Sequence, residues 1–217
     1  MSLFARFDAQ KIRRKLIESV SYNYRKAYPR IKKAIRRLIA EELNDAYFSH
    51  PTVKSIEGGD LRAELGLQFA QVKSRAIYEA LLKSLQVTLN SNKKDSLLNI
   101  SIEMARSDFQ DVLNLSEAYQ VWTDAGGDTV KGEPLPWLEW LLLEGDSLVV
   151  ADYRFSTSQL GRSNLPGIMV AGRGWRVPSE HSGTYQQNFI TEILENVGKE
   201  VDKKLWRTVR PVLTQNF

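Results

Sequence analysis

Leu85-Gln-Val-Thr-Leu89 and Leu98-Asn-Ile-Ser-Ile-Glu-Met104 alternate apolar and polar residues, and the turn-rich stretch 90–95 lies between them. Successive side chains of a strand point to opposite faces, so two runs of period two flanking a turn predict a β-hairpin. This pair decides the fold class, because most of the remaining chain repeats with a helical period. Just before it, Ile77, Leu81 and Leu85 lie four apart and predict a helix over 74–85. Just after it, 108–116 is compatible with helix, strand or a mixture.

Further out, 119–123 reads as a third strand and 147–155 as a fourth. The run 137–144 follows Pro134 and Pro136, is strongly apolar, and predicts a buried helix stopped at Gly145. Asp60 is placed to cap a short helix over 61–65 that ends near Gly66. The connection 161–174 holds Gly161, Gly167, Gly172 and Gly174, yet also Ile168, Met169 and Val170, and is expected to be a mobile loop that orders on assembly. A final helix over 183–206 carries Phe189, Ile193, Leu194, Val197, Val201 and Leu205 at helical spacing. No internal repeat is visible.

At the other end, Ile12, Leu16, Ile17, Val20, Tyr24 and Ala27 predict a helix over 10–28, and Ile31, Ala34, Ile35, Leu38, Ile39 and Leu43 a second over 30–47. Proline restricts the residue before it, so a kink or break is expected at Tyr28-Pro29. The expected architecture is α+β, with long N- and C-terminal helices around a small antiparallel β-sheet. Residues 1–48 are expected to form a basic helical arm and 49–217 an α+β core domain.

Charge sets that arm apart. Positions 1–40 hold 12 Lys and Arg against Asp8 and Glu18, which leaves 18 bases and 24 acids in the remaining 177 residues. A split of this size points to an anionic partner, either nucleic acid or an acidic protein. The candidate surface is Lys11, Arg13, Arg14, Lys15, Arg25, Lys26, Lys32, Lys33, Arg36 and Arg37. In the second predicted helix the bases precede Glu41, Glu42 and Asp45, opposite to the preference of the helix dipole. A compensating partner outside the helix is expected.

Other chemistry has few candidates. With no Cys, disulfides, thiolate nucleophiles and cysteine zinc sites are excluded, and His50 and His181 are the only histidines, 131 positions apart in predicted loops. Gly172-Arg-Gly174 lacks the third glycine and the Lys-Ser/Thr of a nucleotide loop, and Ser91-Asn-Lys-Lys94 sits in a turn without the companion motifs of a Ser-x-x-Lys enzyme. Glu139, Glu144 and Asp146 lack the basic companion of a metal-dependent nuclease. No enzymatic activity and no cofactor are expected. No apolar run reaches the roughly 18 residues of a membrane span, and the start has no secretory apolar region. The expectation is a soluble protein made in the cytoplasm, with no membrane partner. Trp137 and Trp140, three apart on an apolar segment, suit core or subunit packing better than base stacking.

The segments Pro136-Trp-Leu-Glu-Trp-Leu-Leu-Leu-Glu-Gly-Asp-Ser147, Gly161-Arg-Ser163, Gly167-Ile-Met169, Trp175-Arg-Val-Pro178 and Asn188-Phe-Ile-Thr191 together resemble neck or tail-completion (head-tail connector) proteins of long-tailed bacteriophages. Ser55-Ile-Glu-Gly-Gly-Asp-Leu-Arg-Ala-Glu-Leu-Gly-Leu67 resembles the Gly-x-Leu-Arg element of the same group, and the likeness spans about residues 50–200. It implies an α+β virion structural protein without enzymatic activity, assembled as a homo-oligomeric ring at the head-to-tail junction beside other phage neck and tail proteins, with possible contact with passing DNA. Trp137, Trp140, Arg162, Ile168, Met169 and Arg173 are then the expected assembly residues. The basic front end departs from the group. A lumen that DNA crosses must not grip it, because each phosphate neutralised adds affinity, so the arm is expected to dock on an acidic neighbour. The alternative is a nucleic-acid-binding protein whose N-terminal helices hold phosphates without reading sequence.

Overall fold

A computed structural model describes residues 9–91, 98–103, 109–121, 133–160 and 166–214; within these, the side chains of 9–21, 23–25, 89–91, 98–100, 157–160 and 166 are not described. Helix α1 runs unbroken over Ala9–Ser49 with Pro29 inside it. This corrects the expected break. Ala27 and Ile31 straddle the proline and are 1% and 0% exposed, and Ile35, Leu38, Ile39 and Leu43 continue the same buried stripe. One helical direction buries them all, at about 1.5–3 kcal/mol for each large side chain, against about 3 kcal/mol for an interior proline. Pro29 itself is exposed.

The expected domain boundary at residue 48 is corrected for the same reason. Residues from Ala27 to Tyr47 share one core with Leu61, Ile77, Leu141 and Val197, so the second half of the expected arm is core.

Helix α2 spans Pro51–Gly58, α3 Asp60–Glu64 and α4 Ala70–Ser84. Asp60 is the first residue of α3 and not its cap; the side chain that accepts from this turn is Ser55, whose Oγ takes the Leu61 N–H at 3.1 Å. Strands β1 (Gln86–Ser91) and β2 (Leu98–Glu103) pair antiparallel, Val87 opposite Ile102 and Leu89 opposite Ile100, which is the hairpin the alternation predicts. The region left open becomes α5 (Gln110–Leu113) and a 3-10 turn at Ser116–Ala118. Of the expected third strand, the described residues keep one bridge, Gln120 to Leu135. The backbone at Gln120 is held there because its buried side chain also accepts from Gln68 N and donates to the Val121 carbonyl.

Helix α6 spans Trp137–Leu142, shorter than expected. Strands β3 (Tyr153–Leu160) and β4 (Pro166–Ala171) form a second antiparallel ladder, with Phe155 opposite Met169. The predicted fourth strand therefore starts later, and the expected mobile loop is corrected from residue 166 onward: Ile168, Met169 and Val170 lie in a strand with their side chains half-buried. Gly167 makes this pairing possible, since its φ of 128° and the Phe155 ring over its α-carbon leave no room for a side chain.

Helix α7 covers Phe189–Thr214, starting later and ending later than expected. Asn188 sets its start: Oδ1 accepts from the N–H groups of Ile190 and Thr191, both at 3.1 Å, while Thr191 Oγ1 accepts from Asn188 N at 2.8 Å. Two long-range contacts orient α7 on α1. Lys204 meets Glu42 and Glu192 meets His50, so later residues of one helix face earlier residues of the other and the pair is antiparallel. The fold class is α+β, two long terminal helices with two small antiparallel ladders between them in sequence.

Candidate interaction surfaces

The basic stretch of α1 is exposed where its side chains are described. Lys26, Lys33, Arg36 and Arg37 face solvent, as does Arg30, and Lys32 is half-buried. Lys26, Arg30, Lys33 and Arg37 follow i, i+4, i+7, i+11 and so form one outward row opposite the buried stripe. Arg37 donates to Glu41 Oε1 at 2.8 Å, which raises its pKa above the ordinary value. The side chains of Lys11, Arg13, Arg14, Lys15 and Arg25 lie outside the described residues.

Sequence reasoning missed the other half of this surface. Residues 203–217 hold Lys203, Lys204, Arg207 and Arg210 and no acid, and residues 19–40 hold seven bases and no acid. Antiparallel packing sets the C-terminal segment beside the later part of the acid-free stretch of α1, with Lys204 meeting Glu42 just past its end. Both basic halves therefore lie at one end of the helix pair, and their charges add where opposite alignment would have cancelled them. The acid-free C-terminal run was visible in the sequence; its neighbour was not. Trp206 stands among these bases with 64% of its surface exposed.

The expected assembly residues divide. Trp137 is core, 0% exposed, with Nε1 donating to the Glu117 carbonyl at 2.9 Å. Trp140 is half-buried against Trp175, ring centroids 6.1 Å apart, and Trp175 Nε1 donates to Glu64 Oε2 at 2.9 Å. Burial outweighs that bond at Glu64 and raises its carboxyl above the ordinary range. Ile168 and Met169 are half-buried in β4, Arg173 is exposed, and Arg162 lies outside the described residues.

An exposed apolar patch was not foreseen. Phe69 opens α4 with φ 53° and is 73% exposed, and Val72 is 62% exposed one turn on. Tyr119 and Val121 are brought alongside, because Lys73 Nζ donates to the Tyr119 carbonyl and Gln120 Oε1 accepts from Gln68 N. Phe109 opens α5 from the same left-handed region, φ 55°, but is 3% exposed and packs edge-on to Tyr185. Burial offsets the strain at Phe109. Among the described residues nothing offsets it at Phe69, where a left-handed non-glycine costs on the order of 1 kcal/mol or more and the ring is 73% exposed.

The two histidines come together. His50 caps α2, its Nδ1 accepting the Thr52 N–H at 3.2 Å, so the neutral ring carries its proton on Nε2, 3.4 Å from Glu192 Oε2. Thr52 Oγ1 lies 3.0 Å from His181 Nδ1. Burial holds His181 below the ordinary imidazole pKa, against the opposing charges of Glu180 and Asp60. Thr52 is 2% exposed, and the cluster ties α2 to α7 and to the loop at 178–182. Among the described residues no group of acids and histidines is arranged to hold a metal ion. An open groove of about 330 Å³ beside α7 is lined by apolar side chains such as Ile39, Ile102 and Val201, with Asp202 the one titratable group among the described lining residues.

No helix among the described residues is long and apolar enough to cross a membrane. No protein-family model, no curated protein and no solved structure matches the chain.

Proposed function

We propose that this chain is a structural component of the head-to-tail junction of a tailed bacteriophage, acting by ring assembly and docking and not by catalysis. The observation that carries this reading is the convergence of the segments that resemble neck and tail-completion proteins. Although spread over about 150 positions, four of the described ones pack on one another: Glu64 bonds Trp175, Trp175 stacks near Trp140, and Asn188 Nδ2 reaches the Leu142 carbonyl at 3.4 Å. The likeness therefore lies in one packed unit.

Assembly requires a surface that gains by burial, and the Phe69 patch has that property. A neighbour covering Phe69, Val72, Tyr119 and Val121 would remove apolar surface from water at roughly 25 cal/mol per Å² and offset the backbone strain. Glycine accepts φ 53° without strain, so Phe69→Gly is expected to leave the isolated subunit as stable or slightly more stable while abolishing rings. Electron micrographs of the purified wild type and variant, with sedimentation to give particle mass, test this. A wild type that remains monomeric at every concentration, or a variant that assembles as the wild type does, overturns it.

A further inference from the structure

We propose that the C-terminal half of α7 is a binding site for single-stranded nucleic acid, in which Trp206 stacks on a base and the flanking cations hold phosphates. Lys199, Lys203, Trp206 and Arg210 follow i, i+4, i+7, i+11 along α7, the same spacing as the outward row of α1, and all four are exposed. Val197 and Val201 occupy the opposite, buried face, while Trp206 keeps 64% of its surface exposed. Trp206 is thus an indole held away from the core, with Lys203 and Arg210 one turn to either side and Arg207 next to it.

The surrounding charge calls for an anion. Arg30, Lys33, Arg36, Arg207 and Arg210 have no carboxylate partner among the described residues. Like charges gathered at one end of a helix pair repel wherever they lie within the screening length of about 8 Å at physiological salt. A polyanion relieves this repulsion and is drawn in by it. The cations of α1 lie toward the same end of the pair and add longer-range attraction.

Trp206 decides between polyanions. An acidic protein surface would satisfy the cations and leave the indole facing carboxylates. A single strand offers phosphates at short regular intervals and flat unpaired bases between them, and stacking on an exposed aromatic tolerates any sequence. The site is independent of the junction role.

The full-length protein, its Trp206→Ala variant and an Arg207→Gln/Arg210→Gln double variant are titrated with a labelled thymidine oligonucleotide and with poly-glutamate of equal charge. Anisotropy reports binding, and thermal melts confirm that each variant stays folded, as expected for exposed positions. The wild type is expected to bind the oligonucleotide more tightly than poly-glutamate and to weaken as salt rises. Trp206→Ala is expected to lose roughly tenfold on the oligonucleotide and nothing on poly-glutamate. The double variant is expected to weaken on both and to show a shallower salt dependence. Equal affinity for the two polymers, no loss in Trp206→Ala, no oligonucleotide binding at all, or self-association that protects Trp206 and excludes the oligonucleotide would each overturn the site. Assembly through Phe69 without oligonucleotide binding would overturn it and leave the junction role standing.

Discussion

Burial makes the uncharged form of His181 the favoured one in the fold. Its folded pKa lies below the ordinary imidazole value of about 6.5, so between those values the unfolded chain binds the proton more readily. The stability it contributes is complete above the ordinary value and declines as pH falls through it toward the lowered one. Glu64 acts with the opposite sign in the carboxylate range: its raised pKa favours the fold at acidic pH and loses that contribution as pH rises. Melting temperature is therefore expected to fall between pH 7.5 and 5.5, and His181→Gln, which cannot take up a proton, is expected to flatten that fall. Equal slopes in both proteins would remove His181 from the account. None of this was legible in the sequence, where His50 and His181 are 131 positions apart; Trp137, by contrast, was legible as packing, because its apolar neighbours declare burial locally.

Helix α7 shows how an element boundary is set by a single side chain. Periodicity over 189–205 predicts the helix, but not where it starts. The start belongs to Asn188, 2% exposed, whose Oδ1 takes two backbone N–H groups and whose Nδ2 donates to the Thr184 carbonyl at 3.0 Å. Asn188→Ala is expected to cost about 2 kcal/mol in chemical denaturation, at the upper end for a lost cap because the freed N–H of Ile190 is buried. Asn188→Asp keeps the acceptor and loses the donor, and is expected to fall between. At α1 the local rule at Pro29 lost to packing. A proline disfavours helix in isolation, but the stripe from Ala27 to Leu43 can be buried only if the helix continues through it. The segment 166–171 misled for the complementary reason, since glycine content suggests mobility until a strand partner supplies the pairing.

At the scale of the molecule, the antiparallel contact of α1 with α7 makes the first part of the chain structural and charged at once. Removing residues 1–26 is expected to leave a cooperative melt, because burial among the described side chains of α1 begins at Ala27, whereas removing 1–48 takes away Ile31, Ile35, Ile39, Leu43 and Tyr47 and is expected to abolish it. Circular dichroism melts of the two truncations check this, and a cooperative melt of the shorter protein would restore a separable arm. The sequence by itself determined the helical and strand periods, the β1–β2 hairpin, the exposed basic row of α1 and the paucity of catalytic candidates, because each is a property of neighbours along the chain. Only the tertiary structure decided that α1 passes through Pro29, that His50 and His181 meet at Thr52, that Phe69 stands strained in water, and that the bases of 203–210 lie toward the same end of the helix pair as those of 26–37. These depend on which faces are buried against each other, and a local period states that a face is apolar without stating what covers it.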